Sequence, residues 1–139
     1  MAMWCCERLY IAVHDSKPPT EEEWERWLDL CRLREGRDMR CLVDTRGGGP
    51  DPRQRKQLAE VLQKLDGRSA IVTDSLLVRG IITALAWLGA PVRGFKPDDE
   101  AAAVDFLELT IHELRQVHEH LPQMRGEVGV AGHSRAASS

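Results

Sequence analysis

Apolar positions along the chain switch back and forth between two patterns. A first strand is predicted within residues 4–13, where the run "RLYIAVHD" is rich in strand formers and leads to His14, Asp15, Ser16, Pro18 and Pro19, which stop it. Thr20 stands three residues before Glu23, a capping box, and Trp24, Trp27, Leu28 and Cys31 then recur at helical spacing until Gly36. Residues 40–44 predict a second strand. Its Cys41, Leu42 and Val43 are apolar on consecutive positions, as in a strand covered on both faces. Asp51 and Pro52 open a helix with Leu58, Val61, Leu62 and Leu65 on one stripe, closed by Gly67. Residues 69–73 predict a third strand. Asp74 or Ser75 caps the next helix, whose stripe reads Leu77, Ile81, Leu85 and Leu88, ending at Gly89. Residues 90–95 form a fourth strand. Asp98 starts a last helix, with Val104, Leu107, Ile111, Leu114 and Leu121 on one face, and Pro122 stops it. Residues 123–139, rich in Gly, Ala and Ser, predict a flexible, disordered tail.

Strand and helix alternate throughout, which places the chain in the α/β class. The expected architecture is a four-stranded, mostly parallel sheet with four helices and right-handed crossovers. One domain spans residues 1–122, and 139 residues suffice for one core. An antiparallel strand before the first has room only within residues 3–6. Composition changes this picture little. Hydrophobic residues make up 42% and charged residues 29%, and the net charge of −3 gives no reason to expect nucleic acid. No apolar stretch approaches a membrane span, and the start lacks a secretory pattern, so a cytoplasmic location is expected. Cys5, Cys6, Cys31 and Cys41 show no Cys-x-x-Cys pair. They read as small hydrophobes in a reducing compartment, and neither a metal nor a cofactor is expected.

In an open α/β sheet, ligands collect beyond the carboxyl ends of the strands. Those ends carry His14, Asp15, Asp44, Thr45, Arg46, Asp74 and Ser75, the candidate rim site. The glycines of "CLVDTRGGGPDP" do not make a phosphate cradle. Pro50 and Pro52 remove N–H donors where a phosphate would want them, and no Walker or dinucleotide spacing is present. Asp44 sits where a phosphoryl acceptor could, but no adjacent pair of acids follows the first strand. Hydrogen bonds from the loop backbone or a pair with Arg46 are the simpler role for it. No nucleophile, base and orienting group assemble, so no catalytic residue is assigned and the protein is read as a non-enzyme.

The stretch Val43-Asp44-Thr45-Arg46-Gly47, with Ala84-Leu85-Ala86-Trp87-Leu88 and Val92-Arg93-Gly94-Phe95, resembles the STAS superfamily of anti-sigma-factor antagonists, in its divergent STAS- or SEC14-like branch. The likeness covers roughly residues 10–108. It implies regulation by protein contact in bacterial signalling, with a partner switched by phosphorylation after the "VD" strand. Here Pro50-Asp51-Pro52-Arg53 replaces the expected phospho-acceptor, leaving Thr45 and Ser75 as other hydroxyls on the rim. The SEC14-like comparison implies a second function class: a small-molecule or lipid sensor with a pocket between helices and sheet.

The last helix outruns the sheet, and its stripe continues through Ile111, Leu114, Val117, His118 and Leu121. Apolar residues there need a cover. The expected cover is another chain, either a protein partner or a second copy joined through this helix. A bend at Thr110 that folds the segment back would satisfy the same pattern within one chain.

Overall fold

The computed structural model describes residues 1–45 and 49–137, with side chains described up to residue 129. Five strands form one mixed sheet: β1 (Ala2–Cys6), β2 (Leu9–His14), β3 (Asp38–Thr45), β4 (Asp66–Thr73) and β5 (Val92–Phe95), in spatial order β1-β2-β3-β4-β5. From β2 onward every pairing is parallel, while β1 pairs antiparallel with β2, Met3 opposite Ala12. The expected single strand in residues 4–13 is therefore a hairpin, and the sheet has five strands where four were expected. Its turn is Glu7-Arg8, with Glu7 at φ 51. No Gly, Pro, Asn or Asp marks it, so the usual turn signal is missing.

Helices α1 (Glu21–Arg32), α2 (Pro52–Lys64) and α3 (Leu76–Trp87) each join neighbouring parallel strands. Right-handed crossovers between strands taken in sequence order put all three on one face. Their starts follow the sequence closely. Thr20 and Asp51 complete capping boxes with Glu23 and Gln54, and Ser75, not Asp74, accepts the Val78 N–H at the head of α3. Helices α4 (Glu100–Phe106) and α5 (Ile111–Ala137) cover the opposite face, α4 over β4 and β5 and α5 over β1 and β2. The pleat then divides the core. Leu9, Ile11, Val13, Leu42 and Val72 meet Leu107, Val117, Leu121 and Met124 on one side. On the other, Ile71 and Val92 meet Leu62, Ile82 and Leu85.

Three expectations need correction. The last helix is not continuous from 98 to 121. It breaks after Phe106, where Leu107 is fully buried and Glu108 takes φ 49, and it restarts at Ile111. A second capping box drives the restart: the Glu113 N–H donates to Thr110 Oγ1 (3.2 Å), and the Thr110 N–H donates to Glu113 Oε1 (2.8 Å). Arg8 clamps this corner to the β1–β2 turn, donating to both Glu113 oxygens at 2.7 Å and to Asp38 at 2.8 Å. The Arg8 guanidinium pulls the Glu113 carboxyl down to about 2 against the effect of burial, with Thr110 assisting.

Secondly, Pro122 does not stop the helix, and residues 123–137 are not a tail without structure: α5 runs through them. A proline in a helix interior costs about 3 kcal/mol. Beyond it Met124 and Val128 are buried against the sheet, at about 1.5–3 kcal/mol each. The second effect wins.

Thirdly, Gly67 does not close α2. It lies inside β4 at φ 100, where an added Cβ would come within 2.0 Å of the Met39 carbonyl oxygen. Only glycine lets β4 approach β3 this closely.

Candidate functional site: an apolar cleft under three helices

Neighbouring residues on a strand point to opposite faces, so the predicted rim splits in two. Asp44 faces α4 and α5. Its Oδ2 accepts a hydrogen bond from Arg125 Nε at 2.7 Å, and Arg125 Nη2 reaches on to Glu100. Asp44 is buried, and Arg125 is its partner. Burial works against the Arg125 charge, but the bonds to Glu100 and Asp44 outweigh it and hold its pKa above the ordinary value. Arg46, the partner expected for Asp44, lies outside the described residues. Arg125 was missed because it falls in the segment read as a tail.

Thr45 and His14 point the other way, into a cleft between the sheet and α1, α2 and α3. Its volume is about 70 Å³. Ala12, Val43 and Ile71 form the floor. Trp24 and Trp27 of α1 stand on one side, with ring centroids 4.8 Å apart. Val78, Ile81 and Ile82 of α3 stand on the other, and Leu58 and Arg55 of α2 lie between. The one polar atom of Trp24 is satisfied elsewhere, donating to Gln57 Oε1 at 2.7 Å. Gln54 Nε2, buried, donates to the Pro19 carbonyl at 3.1 Å and ties the heads of α1 and α2 together beside the mouth.

His14 is the cleft's distinctive group. It is buried, and its Nδ1 has no hydrogen-bond partner. Burial, with a smaller contribution from the Met1 ammonium, pushes its pKa down to about 4, so the ring is neutral at pH 7. A neutral imidazole offers one donor and one acceptor nitrogen. Thr45 is also buried and makes only a long contact, 3.5 Å, to the Val72 carbonyl.

The remaining predicted rim residues do not join His14 in the cleft. Asp15 accepts the Lys17 N–H at 2.9 Å in the loop beyond β2. Asp74 is exposed, and Ser75 is occupied in capping α3. Burial raises the Cys31 thiol to about 12 and the Cys41 thiol to about 11, so neither is a ready nucleophile. Among the described residues, no group of three or more His, Cys, Asp or Glu could hold a metal ion, and no helix is long and apolar enough to cross a membrane.

The candidate interface on the last helix also divides. Val117 and Leu121 are covered by the chain's own sheet, the fold-back at Thr110 having supplied the cover expected from a second chain. Ile111 and His118 are exposed, and Leu114 is half-buried. His120, the next histidine along, stacks on Trp4 with ring centroids 4.1 Å apart.

Compared with family models, curated proteins and solved structures, the chain gives no match.

Proposed function

We propose that the protein is a non-enzymatic regulatory module that senses a small, largely apolar molecule held in the cleft beside His14. One observation carries this reading. The cleft is walled almost wholly by apolar side chains, yet His14, which lines it, carries a buried ring nitrogen with no partner among the described residues. Ligand sites typically combine such apolar walls with one or two polar groups that fix orientation, and about 70 Å³ limits the occupant to a very small molecule. An unpaired buried nitrogen costs on the order of 1–3 kcal/mol, which a ligand hydroxyl or carbonyl bonded to it would recover. The cleft lies on the helix-covered face of the sheet, over the carboxyl-terminal halves of β2, β3 and β4. The SEC14-like comparison implies a sensor of this kind, whereas the STAS likeness implies regulation by protein contact. A second reading, an adaptor acting through protein contacts, is favoured by an uncharged outer helix face.

Isothermal titration calorimetry with phenol, a small neutral probe with one hydroxyl, tests the sensor reading. Saturable one-to-one binding is expected, weakened at least about tenfold by Val78→Phe, which fills the cleft. Absence of saturable binding to the native chain, or binding unchanged in Val78→Phe, would overturn it.

A further inference from the structure

The outward faces of the three helices above the cleft differ in kind. On α1 the exposed positions are Glu21, Glu22, Glu25, Arg26, Asp29 and Arg32. On α2 they include Arg53, Lys56, Glu60 and Lys64. Both are solvated faces. On α3 and its C-cap they are Leu76, Leu77, Gly80, Thr83, Ala84, Trp87 and Leu88, with no charge among them. Trp87 is 86% exposed and Leu76 79%. A strip of this kind stands at the upper end of the largest apolar patch on a typical monomer, and such patches often mark an interaction site.

The strip has a symmetric pattern. About Ile82 as centre, Leu76 mirrors Leu88, Leu77 mirrors Trp87, and Gly80 mirrors Ala84. Two copies of α3 crossing antiparallel would thus set large residues against large at both ends and small against small at the crossing. A two-fold interface requires this self-complementarity, since each residue must meet its mirror. Small residues at the centre let the helix axes approach, and no like charges meet across the axis.

The area is also sufficient. With an exposed aromatic presenting on the order of 150–250 Å² and each leucine somewhat less, the strip offers roughly 600 Å² per copy. Two copies would bury about 1,200 Å², the lower bound for a specific interface. An anionic membrane surface suits this face less well, because interfacial helices carry several Lys and Arg along their polar side, whereas α3 has Arg79 alone, half-buried.

We infer that α3 is the seat of a two-fold homodimer, packed antiparallel on its partner's α3 about Gly80 and Ala84. This proposal stands apart from the cleft, which uses the opposite face of the same helix. Sedimentation equilibrium of the full chain tests it. The native protein is expected at twice the chain mass, and Ala84→Arg, which sets a charge at the crossing, at the monomer mass with unchanged circular dichroism. A second variant, Gly80→Cys/Ala84→Cys in a Cys5→Ser/Cys6→Ser background, is expected to cross-link position 80 of one copy to position 84 of the other. A native chain that stays monomeric to millimolar concentration would overturn the inference. So would a dimer that survives Ala84→Arg without cross-linking of Gly80→Cys/Ala84→Cys, or a monomer that floats with anionic vesicles.

Discussion

Replacing Arg125 by Met tests whether the segment after Pro122 belongs to the fold. Methionine keeps most of the aliphatic stem and removes the cation. Asp44 then retains a carboxylate that is buried, with no opposite charge within reach among the described residues. Breaking a buried pair by removing one partner costs about 3–5 kcal/mol, most of it the penalty of the charge left behind. Here the Arg125 side chain is 27% exposed and Glu100 36%, so solvent screens part of the interaction. About 2–3 kcal/mol is the expected loss. With a urea slope of roughly 2 kcal/mol/M for a domain of this size, the midpoint should fall by more than about 1 M. Asp44→Asn removes the stranded charge. The double variant Asp44→Asn/Arg125→Met should therefore be more stable than Arg125→Met alone, giving a coupling of about 2 kcal/mol in the cycle. A loss below about 0.5 kcal/mol for Arg125→Met, or additive effects in the cycle, would show that the pair does not hold α5 to the sheet.

Two further outcomes follow from the same geometry. Truncation after Gln123 removes Met124, Val128 and Arg125 together, a loss of about 5–9 kcal/mol against a typical total of 5–15, so cooperative thermal unfolding should be lost or fall steeply; a truncated chain melting within a few degrees of the native one would contradict this. The His14 ring takes a proton near 6.5 when unfolded but only near 4 when folded. As pH falls from about 6.5 towards 4 the unfolded state binds the proton first, and up to about 3 kcal/mol of stability is lost. His14→Gln should flatten that part of the stability-against-pH curve measured by urea unfolding, and an unchanged slope would mean that His14 is not held neutral.

The alternation of elements was legible because each helix start carries its own chemistry. Thr20, Asp51 and Ser75 are local signals, and local hydrogen bonds fulfil them. What escaped was set by tertiary contacts. The β1–β2 turn has no turn residue, and Glu7 holds a left-handed conformation only because β1 pairs with β2 over its full length. Helix α5 continues past Pro122 because the sheet face above β1 and β2 needs Met124 and Val128, which no local rule near a proline would predict. The break at Glu108 was partly readable: Thr110-Ile111-His112-Glu113 is a capping box of the same form as Thr20 to Glu23. A continuous apolar stripe across the break hid it.

For the site, sequence order located the rim but not which way each side chain turns. His14 and Thr45 share a face because β2 and β3 are in register, His14 opposite Thr45, whereas Asp44 is one residue out of phase and faces α5. A shift of one position in β3 would exchange the two, giving the cleft a carboxylate and leaving Arg125 without its buried partner. Helix α3 shows the same limit at helical spacing. The expected stripe of Leu77, Ile81, Leu85 and Leu88 leaves Leu77 and Leu88 exposed, while Ile82 and Leu85 are buried and Val78 and Ile81 line the cleft. The helix is apolar almost all round, so periodicity could not choose a face. That ambiguity is itself informative. A helix at the surface needs only one apolar side to hold its place on the sheet, and α3 has two. The inner side is accounted for by the core and the cleft wall, which leaves the outer side to be explained by something the chain meets.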